Sequence, residues 1–432
     1  MSYSAAVAPY SDEMPPPGGR ARLDDFVRIP HPVALECGAQ HYDWGQHGEA
    51  AFIPALLGVP AGDRPWAELW IGAHPVKPSQ ARIGDAAVPL SELIAAAPDV
   101  VLGTAGVQRY GRRLPFLLKV LAAERMLSIQ AHPDKAQAEA GFAREEAAAI
   151  PRDADRRCYR DDNHKPELIV AVTDFFALSG FRPLPEALAA FTRHPELAPL
   201  LAAAGGPAAT LRSLFATCLT AERATLDDAL GRLIERLDAE DGARPFPRDT
   251  HEYWLRRAAR QFERGGHHDP GLAVTMMLNL VPLSPGQGLF LAAGEPHSYL
   301  EGVGIELMAN SDNVLRGGLT SKHVDTLELG RILTFRGGAV TPIEPDRAGV
   351  YATPAEEFQL EAITLAAGEA WISPPGRQGA ELLLVTDGAV ALRSRGDEKA
   401  FRRGGSVLVP AAVHTYELAA SGPARVFRAS VP

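Results

Sequence analysis

Three short blocks of this chain hold four side chains suited to a divalent metal. In Leu127-Ser-Ile-Gln-Ala-His-Pro-Asp-Lys135, Gln130 and His132 stand two residues apart at the end of an apolar run. Residues i and i+2 of a strand face the same way, so both can aim at one ion. Asn163-His-Lys-Pro-Glu167 adds a carboxylate and Gly294-Glu-Pro-His297 a second imidazole. One amide oxygen, two imidazoles and one carboxylate make an N/O shell. Lysine usage points to the same places. Of 43 basic residues only Lys77, Lys119, Lys135, Lys165, Lys322 and Lys399 are Lys, and four of them lie in or beside these blocks or near others discussed below. A compact ammonium on a flexible stem differs in use from a guanidinium fork. Chance survival of surface lysines is the plain alternative for any single one.

These residues need strands to hold them, and the pattern supplies strands. From Val33 to Pro183 short apolar runs such as Leu114-Pro-Phe-Leu-Leu-Lys-Val-Leu121 and Leu168-Ile-Val-Ala-Val172 are broken by Gly and Pro, as buried strands are. The period changes at Leu184. Leu211, Leu214, Phe215, Cys218 and Leu219 recur at helical spacing. Leu226, Leu230, Leu233, Ile234 and Leu237 do so again, behind a capping Thr225 with Asp228 three residues on. Trp254, Leu255, Ala258 and Phe262 predict a third helix. The strand pattern resumes at Met277-Leu-Asn-Leu-Val-Pro-Leu283. From Pro342 onward all is β: Glu381 to Leu392 predicts a hairpin through Asp387-Gly388, and Ser406-Val-Leu-Val-Pro410 another strand.

The predicted organisation is mainly β with a helical insert. Residues 1–32, rich in Pro and Gly, are expected to be a disordered extension; residues 33–183 with 276–341 form the site-bearing unit, 184–275 a small all-α domain, and 342–432 a C-terminal β domain. At 432 residues and 46% hydrophobic content, packed cores are expected. A net charge of -10 argues against a nucleic-acid or anionic-membrane partner. No secretion signal and no apolar run of about 20 residues is read in the chain. Cys37, Cys158 and Cys218 are scattered and odd in number, which fits a reducing cytoplasm.

Gly286-Gln-Gly-Leu-Phe-Leu-Ala-Ala-Gly-Glu-Pro-His297 resembles the second motif of cupins, double-sheet jelly rolls that present a histidine inward from a tight turn. Ala292 replaces its usual proline, and Gln130 takes the place of the first histidine of the first cupin motif. The ordered set is more specific. Tyr42-Asp-Trp-Gly45, Ala67-Glu-Leu-Trp70, Leu114 to Lys119, Ser128 to Lys135, Asn163 to Glu167, Gly180-Phe-Arg-Pro183 and Glu306 to Thr320 resemble, in order, the blocks of type I mannose-6-phosphate isomerases. The resemblance runs from about residue 33 to 432, strongest before Pro183 and between Val281 and Asp325. Asn310, Leu315 and Ser298 depart from it without removing a ligand.

That resemblance implies cupin-type jelly-roll barrels, a catalytic one and a C-terminal one, with the helical domain beside them. It implies interconversion of mannose 6-phosphate and fructose 6-phosphate through a cis-enediol(ate), for nucleotide-mannose synthesis or glycolysis. It also implies one Zn²⁺ per chain, held by Gln130, His132, Glu167 and His297, in a cytoplasmic monomer whose partner is a small sugar phosphate. Arg316 falls on the family's catalytic arginine. Its guanidinium, with a pKa above about 12, suits electrostatic support better than proton abstraction. For the base, Glu306, Lys165 and a bound water stay open, Glu306 foremost. Pocket residues by the same matching are Trp44, Glu68, Lys119, Ser128, Tyr299, Asp312 and Lys322, with Ser128, Lys119 and Arg316 or Lys322 as candidates for the phosphate. Other metal-dependent cupin enzymes, or a non-catalytic sugar-phosphate sensor, are the alternatives. His41, His74, His164 and His414 read as structural histidines, Trp44 and Trp70 equally as core aromatics, Glu68 and Asp312 equally as capping or pairing groups.

Overall fold

The computed structural model describes residues 17–432, arranged on sheets of ten, eight and four strands. The run Glu381–Asp387 shows how they stack. Alternate residues of a strand face opposite sides. Leu382 and Leu384 enter a core shared with Leu69, Leu118, Val120, Val170, Ile305 and Leu307 of the ten-stranded sheet, whereas Leu383 and Val385 meet Val390, Leu392, Phe401 and Leu418 of the four-stranded one. The eight-stranded sheet is therefore covered on both faces, which is why this strand reads as an unbroken apolar run.

Between Leu184 and Thr275 the chain is helical, with Leu211–Thr220, Arg223–Ala243 and His251–Phe262 the main elements. Leu214, Phe215, Leu230, Leu233, Trp254 and Leu255 form one core with Ile129, Phe176, Leu178 and Leu315 of the ten-stranded sheet. The helices thus cover one side of that sheet. Among the described residues no helix is long and apolar enough to cross a membrane.

Four expectations need correction. Residues 1–16 lie outside the described residues, but Pro17–Arg28 is a helix, and Phe26 is buried with Val33 and Leu35. Phe26 and the partly buried Leu23 dock this segment despite its Pro/Gly-rich surroundings. Thr225 is no cap: the helix starts earlier, at Arg223 after Glu222, with no side-chain cap bond. Asp387-Gly388 makes no hairpin. Glu381–Asp387 pairs within the eight-stranded sheet and Ala389–Ser394 within the four-stranded one, so the chain changes layers there. Gly388 permits this with φ 67°, and a Cβ would meet Pro423 O at 2.1 Å. Finally, the split between residues 33–183 and 342–432 is not clean. Val33–Glu36 pairs with Ser406–Val409 and with Gln80–Ile83, which brings the early strands Gln80–Ile83 and Ala86–Pro89 into the sheet of the C-terminal segments.

The strand His297–Ala309 organises the rest. Its first residues pair with Phe175–Phe181; beyond the irregularity between Tyr299 and Glu301 it pairs with Phe116–Ala123 on one side and Glu167–Ala171 on the other. Gly302 sits at φ 129°, 2.7 Å from Asp174 O at the position of a Cβ, so the bend requires glycine. A bulge of this kind shifts the alternation by one. His297 and Tyr299 face inward before it, and Glu306 faces the same space after it, since Tyr299 Oη donates to Glu306 Oε1 at 3.0 Å.

Candidate active site

Adjacent strands present one polar face to that space. Trp70 stands across from Lys119, and Lys119 across from Glu306. Cross-strand neighbours of this kind lie close enough to bond. Lys119 Nζ is 3.0 Å from Glu306 Oε2 and 3.6 Å from Glu68 Oε1, and Trp70 Nε1 donates to Glu68 Oε2 at 2.6 Å. All four are buried. Burial opposes the charge of Lys119, but Glu306 and Glu68 outweigh it and hold the ammonium well above its ordinary range. Burial raises Glu306 above the usual carboxylate value, with Lys119 opposing. Burial and then Glu306 raise the Tyr299 phenol.

Beside this ladder His132, Glu167 and His297 converge, with candidate ligand atoms all within 4.8 Å of one another. His132 Nε2 lies 3.4 Å from Glu167 Oε1, and His297 Nε2 3.4 Å from Glu167 Oε2. The chain brings them there by three routes. His132 follows the strand Ile129–Ala131 and precedes Pro133 and the capping box of the next helix, Asp134 with Gln137. Glu167 opens the strand Glu167–Ala171, and His297 opens the long bent strand. Gln130 stands directly across from His297 on one side and Arg316 on the other, so its side chain shares their face.

Both histidines spend Nδ1 elsewhere. His132 Nδ1 donates to Asn313 O at 2.7 Å and His297 Nδ1 to Glu295 O at 3.0 Å. A carbonyl can only accept, so each Nε2 is left with a lone pair. His132 Nε2, His297 Nε2 and Glu167 Oε2 are buried and have no hydrogen-bond partner. Burial pushes His132 down to about 4, which keeps it neutral. Burial would raise Glu167, but Lys165, 3.1 Å away, and His132 pull it well below the carboxylate range. Three converging orphan ligand atoms, two imidazole nitrogens and one carboxylate oxygen, fit a divalent cation.

The chain has counterparts among known proteins. Residues 33–184 match the family model "Phosphomannose isomerase type I, catalytic domain". The mannose-6-phosphate isomerase of Escherichia coli (strain K12) is 36% identical, over 86% of this chain and 93% of its own. The chain belongs to the phosphomannose isomerase family. Mannose-6-phosphate isomerase 1 of Arabidopsis thaliana is 32% identical over 92% of this chain and 93% of its own. A solved zinc-bound mannose 6-phosphate isomerase superposes with a TM-score of 0.79 at 32% identity, covering 93% of this chain and 99% of that one. A phosphomannose isomerase mutant from Salmonella typhimurium gives 0.80 at 31%, with the same coverage.

Other residues singled out from sequence make contacts of their own. Asp312 Oδ1 accepts from His74 Nε2 at 3.2 Å; burial would raise this carboxyl, but His74 holds it down at about 2. Trp44, half-buried, stacks with Tyr42 at 5.7 Å. Tyr42 was not singled out, yet it feels Glu68, Lys119 and Asp312, and burial raises it to about 12. Ser128 is half-buried beside Leu127, whose carbonyl accepts from Ser298 Oγ at 2.7 Å. Burial and then Arg316 lower the pKa of Lys322. His41 and His164 bond Pro65 O and Glu357, as structural histidines do. Sequence reasoning missed Asn313 and Asp161. Asn313, fully buried within the block Asp312 to Gly317, bonds the loop Arg160–Asn163 and holds His132 through its carbonyl. Its signal was an amide side chain inside a matched block, easily read as a turn residue.

Proposed function

We propose that the protein interconverts mannose 6-phosphate and fructose 6-phosphate, with Zn²⁺ held by Gln130, His132, Glu167 and His297. The observation that carries this reading is the convergence of orphaned His132 Nε2, His297 Nε2 and Glu167 Oε2 beside the Lys119–Glu306–Tyr299 ladder. Zinc bound there would polarise the sugar oxygens or order the sugar and its waters. The strands that carry the site and those of the C-terminal segments would then be two cupin barrels, and the helices between Leu184 and Thr275 a separate domain.

Aldose–ketose isomerisation moves a proton between C2 and C1 through a cis-enediol(ate), whose oxygens gain charge in the transition state. Glu306 is the proposed base. Burial raises its pKa, which strengthens it as a base, while Lys119 and the Tyr299 hydroxyl keep the ionised form accessible. Lys165 fixes the Glu167 carboxylate and adds positive charge beside the reacting oxygens. Arg316 stabilises the enediolate electrostatically, and Trp44, Glu68, Ser128 and Asp312 shape the sugar pocket. The reading extends to a cytoplasmic enzyme supplying nucleotide-mannose synthesis or glycolysis; three free thiols support a reducing compartment.

The test is a coupled assay for fructose 6-phosphate formed from mannose 6-phosphate, on one sample before chelation, after it, and after zinc is restored. Loss and recovery with zinc are expected. No turnover by folded, zinc-loaded protein refutes the reading and favours a sensor or another cupin chemistry.

A further inference from the structure

We propose that Asp269, in the helical segment, is a positioning residue for Arg316: its carboxylate fixes the backbone on which that side chain is carried. The proposal rests on the isomerase reading above, which gives Arg316 its work on the enediolate.

Strand pairing holds Arg316 on one side only. It stands across from Gln130, but the register then slips, and Gly318 rather than Gly317 meets Ile129. A bulge of this kind re-aims the side chain beside it. The strand Leu315–Gly318 ends there, and the chain leaves it through two residues of positive φ, Gly318 at 122° and Leu319 at 53°. For Leu319, which carries a Cβ, that backbone conformation is sparsely populated and persists where the surroundings impose it.

Asp269 imposes it. Its Oδ1 accepts from Gly271 N and from Leu319 N, both at 2.7 Å, and its Oδ2 from Thr320 N at 3.0 Å. One carboxylate thus joins the start of the helix Gly271–Thr275 to the segment that leaves the Arg316 strand. All three partners are backbone donors, which suits a group with two acceptor oxygens and no hydrogen of its own. The two backbones also touch. A Cβ on Gly271 would lie 2.5 Å from Leu319 N, and one on Gly318 would fall on Gly271 Cα. Leu319 and Leu272 are buried in the same core. Apolar packing fixes where the Leu319 side chain sits, but it does not set the direction of an N–H. The carboxylate does so for two successive residues, and through Gly317 and Gly318 it sets the path of the strand after Arg316. Thr320 extends the order, since its Oγ1 accepts from Lys322 N at 3.0 Å.

Asp269→Asn keeps the volume and one acceptor oxygen but turns an NH₂ group toward a backbone donor; Asp269→Ala removes the hold. In zinc-loaded protein kcat for mannose 6-phosphate is expected to fall about tenfold in Asp269→Asn and further in Asp269→Ala, with KM and zinc content near wild type. The decisive measurement repeats Asp269→Asn in an Arg316→Ala background. A positioning residue then has nothing left to position, so kcat should change by less than about twofold. An equal loss in both backgrounds, an unchanged kcat in the single variant, or loss of zinc would each overturn the proposal. Amide exchange reads the tether without turnover. Leu319 and Thr320 should exchange about tenfold faster in Asp269→Asn while the strand Phe116–Ala123 keeps its protection. Exchange unchanged at both amides, or raised throughout the chain, would overturn it. Zinc-loaded wild type without turnover would defeat the isomerase reading by itself, and exchange would still decide the tether.

Discussion

The protein buries two clusters of charge, and they are built to opposite rules. In the C-terminal sheets Glu361, Glu381 and Arg428 sit on the inward face of three paired strands. Glu381 accepts from Arg377 at 2.6 Å, Arg428 at 2.5 Å and Tyr416 at 2.6 Å, and Glu361 accepts from Arg428 at 2.7 Å and Trp371 at 3.0 Å. Every carboxylate oxygen there has a donor, and Arg428 Nε is the only one of the cluster's atoms left unpaired among the described residues. In the candidate active site the three potential ligand atoms are all unpaired. Buried charge alone is therefore no mark of function. Orphaned donors aimed at one point are, because leaving each unmet costs about 1–3 kcal/mol unless a ligand meets it.

Substitutions at the two clusters should separate these roles. His297→Ala is expected to strip zinc, measured by metal analysis, and to cut turnover by about 10³-fold or more. A fully metallated, active variant would end the ligand assignment. Glu381→Ala should instead cost about 3–5 kcal/mol of stability in urea unfolding, because Arg377 and Arg428 lose a buried counter-charge. Its zinc content should not change. If Glu381→Ala lost zinc while stability held, the two clusters would not be the separate systems described above.

pH separates them as well. His132 is held at about 4 when folded, against about 6.5 when unfolded, so below that value the unfolded chain takes up a proton that the fold refuses. In chelated protein its contribution is complete above pH 6.5 and lost as pH falls toward 4, on the order of 3 kcal/mol. Glu381 is lowered: burial raises it, but Arg428 and Arg377 prevail. Its stabilisation is full above the unfolded value of about 4.3 and lost only below it. Urea midpoints against pH should flatten in the upper window for His132→Gln and in the lower for Glu381→Gln. The reverse pattern would refute both assignments.

Arg316 tests whether a cation near the metal cluster is structural. Arg316→Ala is expected to lower kcat about 10²-fold while zinc and stability persist, as loss of an electrostatic stabiliser does. Loss of zinc would make it a structural support of Gln130, its neighbour across the strand pair.

How much of this could be read from the chain depends on the distance over which each signal acts. Gln130, His132, Glu167 and His297 sit in contiguous motifs whose spacing survives folding, and the helical period from Leu211 to Phe262 is local. The C-terminal cluster was invisible, because Glu361, Glu381 and Arg428 are far apart in sequence and meet only through strand register. Asp387-Gly388 carries a genuine turn signal, but the glycine's freedom served a change of sheet, which local composition cannot distinguish from a hairpin. Glu306 joins the face of His297 only because the irregularity before Gly302 reverses the alternation. The pairing of Val33–Glu36 with Ser406–Val409 spans nearly the whole chain, beyond the reach of any periodicity.

The smallest expected effects come from one substitution made in both clusters, since each contains a buried tyrosine donating to a buried glutamate. Tyr416→Phe removes a bond to Glu381, which keeps two arginine donors, so stability should fall by about 1 kcal/mol and the pH–rate profile should not move. Tyr299→Phe removes the bond to Glu306 Oε1. A hydrogen bond to the charged form favours ionisation, so its loss raises the Glu306 pKa, and the acidic limb of kcat should shift to higher pH. The structural loss is similar in the two variants; the kinetic consequence is not. If Tyr299→Phe left the acidic limb in place while Glu306→Gln abolished it, the tyrosine would serve packing alone. If neither substitution moved it, Glu306 would not be the base, and Lys165 or a bound water would take that role.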